Sequence, residues 1–149
     1  MSLLYELKSN MTSGLRIARA NVSTDYKLPP GIHLSLTDRC PNNCNYCNYR
    51  MLEDTSDGMS TEDILRLIDE MALAGTRRFQ LTGGEPMLRN DIGEIIGCAK
   101  EKGLFEGVST SGYKTPQRVG KLKGIVDIVF LSLDGDEEAH DLLRGKGGY

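Results

Sequence analysis

No stretch of these 149 residues approaches the apolar run of about 20 that crosses a bilayer. Ile125 to Leu133 comes nearest, and Asp127 interrupts it. A signal peptide is not expected either, because Glu6, Lys8 and Asn10 stand where its apolar core would be. Strong net charge is also missing. The 18 Lys and Arg against 21 Asp and Glu leave −3, so neither nucleic acid nor an anionic membrane is expected as a partner. Cysteines are few, and the four present are not dispersed as a disulfide scaffold would disperse them. They cluster, as metal and redox sites do in reducing compartments, and the expected location is cytoplasmic. With 39% hydrophobic and 26% charged residues, the composition is that of one soluble globular domain long enough to bury a core.

What is present is an alternation of strand and helix patterns. Leu3, Leu4, Leu7, Met11, Leu15 and Ile17 suggest a leading helix, and Leu28-Pro29-Pro30-Gly31 breaks it off, so residues 1–30 read as a helix and linker. Ile32, Leu34 and Leu36 alternate with His33, Ser35 and Thr37 as a first strand. A loop runs from Asp38 to about Met59. Ser60 to Asp63 resembles a capping box before a helix with Ile64, Leu65, Ile68, Met71 and Ala72 on its apolar face, ended by Gly75.

Arg77 to Thr82 is a second strand. Asn90 is the expected cap of a helix burying Ile92, Ile95, Ile96 and Ala99, with Gly103 ending it. The third strand lies within Phe105–Thr110. Thr115-Pro116 opens a short helix that stops at Gly124. Ile125–Leu133 reads as a fourth strand apolar enough to be buried on both faces. Asp136 caps a last helix ending at Gly145. Four strand–helix units in succession predict an α/β fold with parallel strands and right-handed crossovers.

The strand pleat adds one inference. His33, Ser35 and Thr37 share a face, as do Gln80 and Thr82, and as do Phe130, Ser132 and Asp134. If those faces point together the inside of the sheet is polar, whereas a filled eight-stranded barrel would show branched aliphatics there. A polar interior suits a bound polar ligand.

Cys40-Pro41-Asn42-Asn43-Cys44-Asn45-Tyr46-Cys47 places three thiols in one loop after the first strand. Three ligands on one metal centre leave a coordination position open for chemistry. A structural zinc would want a fourth ligand, for which His33 and Cys98 are the soft candidates. Cys98, on an apolar helix face, reads better as a small core residue. An iron–sulfur centre is the favoured reading and zinc the alternative.

Cys40-x3-Cys44-x2-Cys47, with Tyr46 before the last cysteine, resembles the radical S-adenosylmethionine (SAM) enzymes, and so does Gly83-Gly84-Glu85-Pro86 after the second strand. The resemblance runs from about Gly31 to Tyr149. It implies that Cys40, Cys44 and Cys47 ligate three irons of a 4Fe–4S cluster, the fourth iron binding SAM. It implies further that Tyr46 presents its backbone near the adenine, and that Gly83, Gly84, Glu85 and Pro86 receive the methionine ammonium. Ser109-Thr110-Ser111-Gly112 resembles a hydroxyl-bearing segment of the family, with Thr110 and Ser111 near the cofactor. Ser132-Leu133-Asp134-Gly135 with His140-Asp141-Leu142-Leu143-Arg144-Gly145 looks like a branch of peptide- and cofactor-maturing enzymes, of the pyrroloquinoline-quinone and molybdenum-cofactor biosynthesis type. There Ser132 and Asp134 would line the ribose and methionine region and Arg144 would pair with the SAM carboxylate. Local readings compete: a tight turn for Gly83-Gly84, a Ser/Thr turn for the hydroxyls, a solvated arginine for Arg144 and a surface helix position for His140.

The implied reaction is reductive cleavage of SAM to methionine and a 5′-deoxyadenosyl radical, which abstracts hydrogen from a peptide or small-molecule substrate. An electron donor of flavodoxin or ferredoxin type is the implied partner. The family core is a six-unit partial TIM-type barrel, and this chain supplies four units, so residues 31–149 read as the N-terminal portion of a radical SAM domain. The fourth strand is then an open edge, expected to be covered by the missing C-terminal half of the barrel or by a dimer partner. A non-catalytic iron–sulfur, zinc-binding or electron-transfer module, or an inactive fragment, is the alternative.

Overall fold

The computed structural model describes residues 30–52, 55–113, 120 and 122–149. The expected leading helix lies outside those residues, and so does most of the expected helix between Thr115 and Gly124.

Four parallel strands form one sheet in sequence order: β1 (Gly31–Ser35), β2 (Arg78–Thr82), β3 (Phe105–Thr110) and β4 (Ile128–Leu131). Helices among the described residues include α1 (Thr61–Ala74), α2 (Ile92–Glu101) and α3 (Glu137–Arg144). Short 3₁₀ turns occupy Asn48–Met51 and Pro86–Leu88. The strand–helix alternation and parallel pairing expected from the sequence are those of a partial TIM-type barrel.

Local chemistry sets the element ends. The Ser60 hydroxyl accepts from the Asp63 amide at the start of α1, and Gly75 closes that helix at φ 91°, a left-handed conformation that other residues resist. Asp136 accepts from the Ala139 amide to start α3. Asn90 does not cap α2. Asp91 holds the N-cap position without a side-chain cap bond, because its carboxylate is taken by Arg89 and Thr61.

One sheet face carries the core. Phe79, Leu81 and Val108 pack against Ile64, Ile68 and Met71 of α1 and Ile92, Ile95 and Ile96 of α2. The other face is the expected inner surface. The register aligns His33 with Gln80, Gln80 with Gly107, and Ser109 with Phe130. Gln80 donates to the Ser109 hydroxyl at 2.9 Å, and its carboxamide occupies the space where a Cβ at Gly107 would lie. That face is mixed, not wholly polar, since Phe105, Ile128 and Phe130 join His33 and Gln80 around a cavity of about 690 Å³. Thr37 leaves the pattern: it is buried beyond the end of β1, with its hydroxyl beside Ser56 O and Asp57 Oδ1.

The fourth strand corrects an expectation. It spans Ile128–Leu131, and all four residues are exposed, Phe130 at 49% and Leu131 at 62%. Apolar content does not bury a strand without a covering layer. Among the described residues β4 pairs with β3 alone.

Candidate metal and cofactor site

The C-terminal ends of parallel strands, where connecting loops gather, are the usual place for a ligand. Here the loops after β1 and β2 are laced together. Gly84 N–H donates to Thr37 O at 2.7 Å and Glu85 N–H to Arg39 O at 2.8 Å. A Cβ on Gly84 would collide with the Arg39 carbonyl, and one on Gly83, at φ 125°, would lie 2.6 Å from Thr37 O. The two glycines are therefore more than a tight turn. They let one backbone lie directly against the residues that lead into Cys40.

Glu85 is fully buried. Its Oε1 accepts from Met87 N–H (3.0 Å) and the Thr110 hydroxyl (2.7 Å), and its Oε2 accepts from Ser111 N–H (2.8 Å) and the Ser111 hydroxyl (2.6 Å). A carboxylate offers about four acceptor positions, so Glu85 spends its capacity on its own turn, through Met87, and on the end of β3, through Thr110 and Ser111. Pro86 is buried at the first position of its 3₁₀ turn. Ser111, Gly112 and Ser132 then line a cavity of about 350 Å³ together with Asn42 of the cysteine loop and Gly148. That volume lies at the lower end of the range for small-molecule sites.

Cys44 is buried, and Cys40 and Cys47 are half-buried. Burial is the main cause that pushes the Cys40 thiol up, opposed by the Asn42 N–H and reinforced by Glu85, Cys44 and Cys47. The three thiols thus share one electrostatic neighbourhood. Among the described residues no three His, Cys, Asp or Glu side chains are drawn together around a single-ion site. Neither soft candidate for a fourth zinc ligand joins them. Cys98 sits on α2, packed against the core and near Asp69 and Lys102, and His33 lines the cavity on the inner sheet face. Three thiols on one loop, with an amide donor at Cys40 and, among the described residues, no fourth ligand gathered with them, suit an iron–sulfur cluster with an open iron better than a closed zinc site.

The cysteine loop is also tied to the far edge of the sheet. Tyr46 donates from its hydroxyl to Asp134 Oδ2 at 2.7 Å, and Arg144 Nε donates to the same oxygen at 2.6 Å. The Arg144 guanidinium lies 5.7 Å from the Tyr46 ring centre, within cation–π range. Asn45 N–H donates to Leu143 O at 2.9 Å. The Arg144 donors, followed by the Tyr46 hydroxyl, hold the Asp134 carboxyl below its ordinary range. Desolvation first, and Asp134 second, push the Tyr46 phenol up to about 12. Tyr46, Asp134 and Arg144, singled out separately in the sequence, form one cluster in which Arg144 is paired with Asp134.

His140 is not a surface residue. It is 2% exposed, with Nδ1 accepting from Asp134 N–H at 3.3 Å and Nε2 3.1 Å from Gly148 O. Alternation could not reveal this, because the other residues of α3 are exposed or half-buried. Sequence reading also missed Arg39, whose Nη2 meets the two Asp57 oxygens at 2.6 and 2.8 Å, closing the base of the cysteine loop.

Comparison with known proteins agrees with this geometry. The family model of the Radical SAM superfamily matches residues 34–149. PqqA peptide cyclase of Granulibacter bethesdensis is 35% identical over 124 residues, covering 80% of this chain and 33% of that protein. Fe-coproporphyrin III synthase of Methanosarcina barkeri is 35% identical over 123 residues, covering 80% and 31%. The chain thus spans about a third of the length of these relatives. In fold it resembles SuiB of Streptococcus suis bound to S-adenosylmethionine, with a TM-score of 0.74 at 20% identity over 89% of this chain and 32% of that one. A matched domain model and two laced motif loops on successive strand ends carry one conclusion: the chain belongs to the radical SAM superfamily.

Proposed function

We propose that this chain forms the cluster- and SAM-binding part of a radical SAM enzyme that modifies a peptide or matures a cofactor. The observation that carries the reading is the lacing of the two motif loops, Gly84 N–H on Thr37 O and Glu85 N–H on Arg39 O. It brings the cysteine loop and the glycine motif to one end of the sheet, beside the cavity bounded by Asn42, Ser111 and Ser132.

In this reading Cys40, Cys44 and Cys47 hold a 4Fe–4S cluster. That group, when bound, supplies the electron that splits SAM into methionine and a 5′-deoxyadenosyl radical able to take hydrogen from a substrate. The chain's own residues hold and orient. The Gly83-Gly84 backbone and the Ser111 and Ser132 hydroxyls offer polar contacts to the amino-acid and ribose portions of SAM. Glu85 fixes Ser111 from beneath, and Arg144 and Asp134 set the charge beside Tyr46. The peptide alternative draws support from PqqA peptide cyclase among the relatives and from a solved SuiB structure bound to the precursor peptide SuiA.

A flavodoxin- or ferredoxin-type protein would deliver the electron in the cytoplasm, and further strands or a second subunit would cover β4. No helix among the described residues is long and apolar enough to cross a membrane. The test is anaerobic reconstitution with iron and sulfide, then dithionite and SAM. 5′-Deoxyadenosine should form with the parent chain and be abolished by Cys44→Ala. A parent chain that takes up the cluster and forms no 5′-deoxyadenosine would instead be a non-catalytic iron–sulfur module.

A further inference from the structure

One side chain outside the recognised motifs meets both ends of the cysteine loop. Arg89 follows the Pro86–Leu88 turn and is 3% exposed. Its Nη1 lies 3.0 Å from Leu36 O, where the chain enters the loop, and 2.9 and 3.0 Å from Asp57 O and Met59 O, where the chain leaves it. Its Nε and Nη2 donate to Asp91 at 2.9 and 2.5 Å, and Asp91 receives the Thr61 hydroxyl at 2.6 Å.

The arrangement has a physical rationale. Three carbonyls converge where neither the sheet nor a helix supplies donors, and backbone acceptors removed from water need partners. A guanidinium serves several acceptors at once from a fixed plane, which a lysine ammonium cannot reproduce. Burying that cation is tolerable because Asp91 pairs it through two hydrogen bonds. The consequence reaches the first thiol through a short path. Arg89 holds the Asp57 backbone, the Asp57 carboxylate holds Arg39, and Arg39 is bonded to Cys40. Asp38 N–H donates to Ser56 O at 2.8 Å and closes the same neck.

We propose that Arg89, fixed by Asp91, is a positioning residue for the metal centre: it cinches the neck of the 36–59 loop so that Cys40, Cys44 and Cys47 are presented as a preformed set. This rests on the reading of those cysteines as cluster ligands. Supporting groups one layer behind metal ligands commonly change metal affinity by about ten- to a hundredfold when removed, and that is the range expected here.

The experiment uses the full chain with Arg89→Met, Arg89→Lys and Asp91→Asn. Each protein is reconstituted anaerobically, and iron release to a chelator is timed. Metal-free samples are followed by hydrogen exchange with mass spectrometry. Arg89→Met should release iron about ten- to a hundredfold faster than the parent, Arg89→Lys and Asp91→Asn by smaller factors. Exchange should rise across residues 38–59 while β2 and β3 keep their protection. Release and loop exchange equal to the parent's would overturn the proposal, as would an equal rise in β2 and β3, which would make Arg89 a general support of the fold. If Arg89→Met does not fold, Asp91→Asn decides by the same two readings. A parent chain that takes up no iron and sulfide would bring down the ligand reading and this inference with it. A parent that loads while the variants behave like it would bring down the role of Arg89 alone.

Discussion

The Tyr46 hydroxyl donates to Asp134 across 88 residues of sequence, so the middle of the cysteine loop is tied to the segment after β4. Arg144 shares the carboxylate, with only 13% of its side chain exposed. Removing Asp134 strands that cation, whereas removing the phenol hydroxyl deletes a single bond. Asp134→Ala should therefore destabilise by about 1.5–3 kcal/mol and Tyr46→Phe by about 1 kcal/mol. In a double-mutant cycle by urea denaturation the two should couple. Additive losses would mean that the contact contributes nothing.

The laced loops yield a sharper contrast between two glycines. A methyl group at Gly84 would strike the Arg39 carbonyl, while one at Gly97, inside α2, meets nothing within 4 Å. Gly84→Ala should cost about 1–3 kcal/mol by overpacking and slow cluster uptake, since the displaced segment leads into Cys40. Gly97→Ala should stabilise by about 0.5–1 kcal/mol through helix propensity alone. Urea midpoints and iron content of the two variants, measured side by side, check both.

Glu106 gives a pH signature. It is fully buried on β3, and among the described residues neither of its carboxyl oxygens meets a hydrogen-bond donor. Burial first, then the neighbouring Asp127 carboxylate, push its pKa from 4.5 up to about 9. Below pH 4.5 both folded and unfolded chains hold the proton, and the contribution to stability is full. As pH rises the unfolded chain ionises first, so stability falls until the folded group ionises near 9. Glu106→Gln should flatten this limb and exceed the parent in urea midpoint at pH 9. Parallel losses between pH 5 and pH 9 in both proteins would refute the assignment.

Much of this was legible in the sequence because the deciding residues are neighbours. Ser60 and Asp63 announce a helix start, Gly75 its end, and the cysteines and Gly83–Pro86 mark their loops by spacing. The misreadings share another cause. Asn90 and Asp91 are both competent caps; Asp91 takes the N-cap position, and its carboxylate is claimed by Arg89 and by Thr61, the latter 30 residues away. His140, buried without any apolar period around it, is hydrogen-bonded to the Asp134 and Gly148 backbones and meets the Tyr149 ring edge-on. Arg89 carries no motif, since its partners are carbonyls that any residue supplies. The apolar run of β4 reads as buried because hydrophobicity records what a strand needs, not what covers it.

That uncovered strand supports a last prediction. Ile128, Val129, Phe130, Leu131 and Leu133 are between 37% and 62% exposed, and among the described residues β4 has an unpaired edge. An apolar edge with open backbone donors and acceptors is a template for intermolecular pairing, and lysine on such an edge is a natural deterrent. The 149-residue chain should show a weight-average mass that rises with concentration in sedimentation velocity. Phe130→Lys should weaken that association by about tenfold, the loss of roughly 1.4 kcal/mol. Leu142→Lys is the control: Leu142 is 76% exposed, but it belongs to α3 and not to the strand edge. An equal effect from both substitutions would point to general apolar stickiness. A mass independent of concentration would show that the edge is silent at the concentrations tested, because pairing through β4 cannot leave the average mass of the solution unchanged.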